Sequence, residues 1–261
     1  MYHEYHLVSR SPWPIYVSWT LLGLVVGLVM SIHGYKSGTV VMTCSLGLSI
    51  AGGILWWRDI VRESTFKGDH TSIVQYGLKL GFLLFIISEV MFFFSFFWGF
   101  FHSSLAPSEI LGSVWPPAGV KVFDPWKVPL LNTYILLLSG AMVTACHHYM
   151  LEREKEESEN YLLGTLVLAV LFTIVQGLEY ITGPFSINDG IYGSTFFLLT
   201  GFHGLHVIVG TLFLGVCFGR LYKEHYTTTH HLGFEAGAWY WHFVDVVWLF
   251  LFVAVYWWGY R

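Results

Sequence analysis

The chain has 261 residues, 55% hydrophobic and only 11% charged, whereas a soluble domain usually carries about a quarter charged residues. This excludes a soluble globular protein and predicts an integral membrane protein with no room for a separate soluble domain. A formal net charge of -4 leaves no electrostatic footprint for a nucleic-acid partner.

The N-terminal MYHEYHLVSRSPWP shows neither a signal-peptide core with a small-residue cleavage site nor an Arg-rich, acid-poor transit segment, so insertion is expected to come from the spans themselves. Seven apolar segments follow, at about residues 15–32, 39–57, 73–101, 130–149, 161–182, 191–219 and 236–260, each near or above spanning length. Continuous runs predict an all-α bundle, because a closed barrel would need short alternating strands. Segments three and six exceed what a bilayer needs and are expected to tilt or project. The pairs Gly23/Gly27, Gly77/Gly81 and Gly215/Gly219 are spaced for close helix contacts. Trp13, Trp19, Trp56, Trp57, Trp257 and Trp258 mark interfaces. The long connection 102–129, bounded by prolines, is expected to be an ordered loop, and the charged stretch 152–159 (EREKEESE) a solvated loop running into helix five.

Lys and Arg in the connections set the orientation. With the N-terminus inside, that side collects Arg10, Arg58, Arg62, Lys67, Lys79, Arg153, Lys155, Arg220 and Lys223, against Lys36, Lys121, Lys127 and Arg261 outside. The bias places the N-terminus on the matrix or cytoplasmic side and the C-terminus opposite.

Few residues in these spans can carry chemistry. Glu89 lies in LGFLLFIISEVMFFFSFFWGFF, residues 80–101, close to the midplane of a helix that rises roughly 33 Å. A carboxylate there costs several kcal/mol unless protonated, paired or faced into a polar crevice, so a neutral acid is expected, with either a structural hydrogen bond or a role in proton uptake or lipid-cleft chemistry. Glu179, near the end of helix five, is expected to reach the interface. His203 and His206 share one helix face and could in principle ligate haem; His147/His148 and His230/His231 are adjacent and cannot both face one centre from a regular helix. The competing reading for these histidines is interhelical hydrogen bonding, and no metal is assigned to the chain. His242 and Asp245, also three apart, read as a polar pair holding helix seven to its neighbours or as part of a proton relay. On the inner side, Trp57, Arg58, Arg62 and His70 follow helix two, and Arg220, Lys223, His225 and His230 follow helix six. Such basic clusters attract anionic lipid headgroups, or are ordinary positive-inside residues. Cys44, Cys146 and Cys217 stand far apart in apolar stretches and read as packing residues.

An ordered set of motifs over nearly the whole chain carries a resemblance: SPWPIYVSW (11–19), WWRDIVRESTFKGDHT (56–71), LFIISEV (84–90), FFWGFFHSSLAP (96–107), WPP (115–117), PLLNT (129–133), DGIYGSTFF (189–197), GFHGLHVIVG (201–210) and HHLGFEAGAWYWHFVDVVWLFLF (230–252). The set closely resembles subunit III of cytochrome c oxidase, in a compact form that looks mitochondrially encoded.

The resemblance implies a core subunit of a haem-copper terminal oxidase without a redox centre or catalytic residue of its own, haem a and copper residing in subunits I and II. It implies seven transmembrane helices in which helices one and two, with the following loop (1–71), are separated from helices three to seven (72–261) by a V-shaped cleft filled by structural phospholipids. Glu89 matches the family's buried carboxylate that faces this lipid-binding cleft. Trp57, Arg62, His70, Arg220, His225 and His230 stand where the family lines the cleft and its headgroup pocket. The implied partners are subunits I and II, accessory subunits and membrane phospholipids; the implied place is the mitochondrial inner membrane, with a bacterial plasma membrane as the alternative. The implied role is support of subunit I, its turnover stability and its proton uptake, with cleft lipids tied to oxygen access. Two other classes stay open on residues alone: a seven-helix cytochrome using His203 or His206, and a receptor or channel with Glu89 in its path.

Overall fold

The computed structural model describes residues 3–109 and 112–260. Arg261, counted in the charge bias, Met1 and Tyr2 of the N-terminal stretch, and Ile110 and Leu111 of the long connection lie outside the described residues. Seven helices, each long and apolar enough to cross a membrane, make up the chain: α1 (Trp13–Ile32), α2 (Gly38–Arg62), α3 (Ser72–Leu105), α4 (Val128–Glu152), α5 (Lys155–Thr182), α6 (Gly190–Tyr222) and α7 (Leu232–Leu251). No strand occurs among the described residues. A π-helical turn, Glu63–Lys67, extends α2, and α7 runs on through the π-helical Phe252–Trp257 and a short 3-10 turn, Trp258–Tyr260.

The helices fall into two compact units, Met1–Leu78 and Lys79–Arg261. The first contains the α1–α2 hairpin. Its tight turn has Gly34 at φ +76°, and Tyr35 N–H donates to Met30 O at 3.0 Å. Side chains are missing where the helices cross: a Cβ on Gly27 would run into the backbone of Met42, and one on Gly38 into that of Ser31. Trp13 Nε1 donates to Asp59 Oδ2 at 2.7 Å, so this tryptophan also ties α1 to the far end of α2. Of the three glycine pairs, only Gly23/Gly27 mediates a close approach; Gly77, Gly81, Gly215 and Gly219 have open space around them, because spacing shows a shared face but not what faces it.

The core of the second unit is built by α4 to α7. Trp241 and Trp248 of α7 are buried at 0% and 1% exposure, and their indole N–H groups donate to Ser139 Oγ and Thr133 Oγ1 of α4 at 2.9 and 3.0 Å. A satisfied indole is what lets so large a ring occupy an apolar core. The part of α3 in this unit packs through rings: Phe82 on Phe213, Phe85 on Tyr240, Phe92 and Phe96 on Phe202, and Phe93 on Phe243. The described part of the long connection packs on the bundle, Trp115 against Phe100 and Tyr192, and Phe123 against Phe185 and Phe196.

Two expectations change. Residues 152–159 are not a loop: α4 runs to Glu152, only Arg153 (φ +67°) and Glu154 connect, and α5 begins at Lys155. Glu and Lys are good helix formers, and Glu156 and Glu157 occupy the first turn, where the helix dipole favours acids. Glu179 does not reach an interface; it is 3% exposed, since its helix face turns into the bundle.

Candidate functional site: a carboxyl and an imidazole between helices

Glu89 sits halfway along α3, and its partner lies 117 residues away on α6. Its Oε2 is 2.8 Å from His206 Nε2, and the two side chains are 23% and 11% exposed. The second ring nitrogen fixes the arrangement. His206 Nδ1 is 2.7 Å from Phe202 O, one turn back on α6, and a carbonyl only accepts, so Nδ1 carries a hydrogen. A single proton is then shared across the Nε2–Oε2 contact, giving either a carboxylic acid donating to neutral imidazole or a carboxylate beside imidazolium. Both forms are neutral as a pair, which removes most of the penalty of a lone charge in hydrocarbon. Phe93 packs edge-on to the imidazole at 4.9 Å and Tyr240 stacks at 6.3 Å, holding the ring in place. Chemically, the pair holds one proton between a carboxyl and an imidazole, and without that proton the Nε2 lone pair would face the carboxylate with no hydrogen bond between them.

Sequence reasoning singled out Glu89 but found only Ser88 and Ser95 as neighbours. Those hydroxyls donate within α3, to Phe85 O and Met91 O. The signal that could have found the partner was the other polar residue in an apolar helix, His206, which the spacing argument grouped with His203. His203 is spent differently: Nε2 is 3.1 Å from Val244 O of α7, and the ring is 1% exposed, packed on Trp248. The two histidines therefore serve different helices, which favours the interhelical reading over haem ligation. His242 lies 3.6 Å from Asp245 on its own helix, while its Nε2 reaches Thr144 Oγ1 of α4 at 3.2 Å. Gly140 gives Asp245 its space, since a Cβ there would meet Oδ2 of the carboxylate.

The expected headgroup residues divide between the units. In the first, Trp57 is 65% exposed, Arg62 is exposed, and the His70 ring meets His6 edge-on at 5.6 Å. In the second, Arg220 lies over the Tyr226 ring at 4.5 Å, His225 N–H donates to Arg220 O at 3.0 Å, and His230 N–H donates to Thr227 Oγ1 at 2.9 Å. Partial burial, with Arg220 nearby, holds the His225 and His230 imidazoles below their ordinary pKa, and burial pushes the Tyr226 phenol up.

One group went unseen in the sequence. His147 Nε2 lies 3.1 Å from His231 Nε2, and Glu235 Oε1 is 3.2 Å from the same nitrogen. The adjacent histidines part company here: His148 pairs with Glu152 in its own helix instead.

Seven apolar helices carrying a neutral acid–base pair and a polar network of interhelical bonds define a polytopic membrane protein. The matching family model is cytochrome c oxidase subunit III, over residues 3–260, and the chain belongs to that family. It is 57% identical over 257 residues to cytochrome c oxidase subunit 3 of Arabidopsis thaliana, covering 98% of this chain and 97% of the relative. The Triticum aestivum and Damaliscus lunatus proteins of the same name are 58% and 55% identical over 257 residues, again covering 98% of this chain and 97% and 98% of theirs. The chain is accordingly a subunit of cytochrome c oxidase, and works in a complex with other subunits.

Proposed function

We propose that the chain is a supporting subunit without a redox centre, which steadies the haem- and copper-bearing subunits I and II, helps keep proton uptake running, and binds structural phospholipids. Its place is the mitochondrial inner membrane, with the N-terminus in the matrix. The observation that carries the support role is the Glu89–His206 pair: a proton-holding couple inside a helix bundle whose other central histidine, His203, holds α6 to α7.

On this reading the chain itself binds structural phospholipids, as the family resemblance implies. Trp57, Arg62, His70, Arg220, His225 and His230 then engage headgroups, and Glu89 lies toward the acyl chains. Arginine suits this role because its planar fork binds phosphate bidentately.

The test is a reduced-minus-oxidised visible spectrum of the chain purified alone and of the complex, with Glu89→Gln alongside. A colourless chain in a haem-rich complex, with Glu89→Gln keeping haem content while turnover lifetime or proton uptake falls, is the expected result. Haem bound by the chain alone, or lost in Glu89→Gln, overturns it.

A further inference from the structure

The cluster of His147, His231 and Glu235 is not used by any step above. It lies where the last turns of α4 meet the start of α7: His147 is five residues before the end of α4, His231 is the residue preceding α7, and Glu235 stands in the first turn of α7. One ligand atom from each lies within 4.8 Å of the others.

The hydrogen-bond directions make the cluster informative. His231 Nδ1 is 2.9 Å from Thr227 O, which can only accept, so that nitrogen carries the hydrogen and a neutral His231 presents the lone pair of Nε2. That lone pair faces a carboxylate oxygen, Glu235 Oε1, at 3.2 Å, and His147 Nε2 at 3.1 Å. Two acceptors and a third nitrogen converge, and one shared proton on His147 can satisfy only one of the contacts. A cation at the centre satisfies all three.

The spacing fits such an ion. With zinc–nitrogen bonds of about 2.0–2.1 Å, the edge of a tetrahedron is about 3.3 Å, close to the His147–His231 and His231–Glu235 separations, while His147 and Glu235 lie farther apart, within 4.8 Å, and draw together around the ion. Two imidazoles and one carboxylate are a zinc donor set that leaves a fourth position for water. The surroundings resemble those of built sites, in which a ligating histidine donates its other N–H to a backbone carbonyl and a ligating carboxylate is itself held by a partner. Here Thr227 O plays the first part. Lys79 of α3 plays the second, its ammonium 2.5 Å from Glu235 Oε2, leaving Oε1 turned to the histidines.

We propose that His147, His231 and Glu235 bind a divalent transition-metal ion of the zinc class, clamping the end of α4 to the start of α7. Lys79 orients the carboxylate and, as a nearby positive charge, weakens the site.

The test uses the purified oxidase complex, stripped with chelator, exposed to zinc alone, washed and analysed for zinc per complex. Wild type retains one more zinc than His147→Gln or Glu235→Gln, whereas His148→Gln matches wild type. Lys79→Gln binds zinc about tenfold tighter or more, because a repelling charge is removed. Equal zinc in wild type and the two ligand variants overturns the site. Should those variants fail to assemble, anomalous scattering at the zinc edge from wild-type crystals decides: a peak between the three side chains supports the site, and none there refutes it.

Discussion

Removing His206 is the sharpest probe of the acid–base pair. In His206→Leu, the Glu89 carboxyl loses its 2.8 Å partner at a place where its side chain is only 23% exposed. An unsatisfied buried polar group costs about 1–3 kcal/mol. The imidazole also gives up its edge contact with Phe93 at 4.9 Å, an arrangement worth about 0.5–1.5 kcal/mol. The single variant should therefore lose about 2–4 kcal/mol. Glu89→Gln should lose under about 1 kcal/mol, because its amide can still donate to His206 Nε2. Replacing both by leucine removes the orphaned group along with its partner, so Glu89→Leu/His206→Leu should be less destabilised than the two leucine single variants added together, by about 1–3 kcal/mol. The assay is the midpoint of detergent-driven loss of the subunit from the complex, followed with all four proteins at one lipid-to-detergent ratio. A double variant that equals the sum of its parts within about 0.5 kcal/mol would refute the pairing.

Other outcomes follow from the same geometry. Gly27→Leu should destabilise the α1–α2 hairpin by about 1–3 kcal/mol or more, because its Cβ would meet the Met42 backbone, while Gly219→Ala, in open space, should be silent in the same melt. Glu179 is 3% exposed, beside the Tyr256 hydroxyl, which an amide oxygen can also accept from, so Glu179→Gln should leave stability unchanged or raise it; a loss above about 2 kcal/mol would reveal a charge that the bundle needs. His225 is held below its ordinary pKa by partial burial and by Arg220 and Lys223. The unfolded chain then binds the proton more readily, so stability is fully retained above about pH 6.5 and declines as pH falls toward the folded value. Amide exchange at the end of α6 should quicken on acidification, and His225→Gln should flatten that response.

Much of the fold could be read from hydropathy, because a membrane span must satisfy its own backbone and the helix is the cheapest way to do it. The ends were harder. α2 continues past Trp57 to Arg62, and α5 starts at Lys155, since helical hydrogen bonds do not require apolar side chains and Arg, Lys and Glu favour the helix. The polar partnerships were hidden for a different reason. Periodicity tells which residues share a face but not which helix that face meets, so Glu89–His206, 117 residues apart, and His147–His231, 84 apart, are visible only once the bundle is assembled.

The placement of those partnerships bears on what the Glu89 pair does. α7 is stitched to α4 by Trp241–Ser139, Trp248–Thr133 and His242–Thr144, three polar bonds between two helices that also share a buried core. α3 has no such redundancy. It meets α6 and α7 largely through phenylalanine rings, which pack well but slide, and its polar links to them among the described residues are Glu89–His206 and Lys79–Glu235. The second link lies at the end of the bundle, where water and salt weaken it. The first lies within the apolar span, where a hydrogen bond has few competitors, and so sets the height and rotation of α3 against α6. Without the proton shared there, the Nε2 lone pair would face the carboxylate, and Lys79–Glu235 would be the polar link left to hold α3 among the described residues.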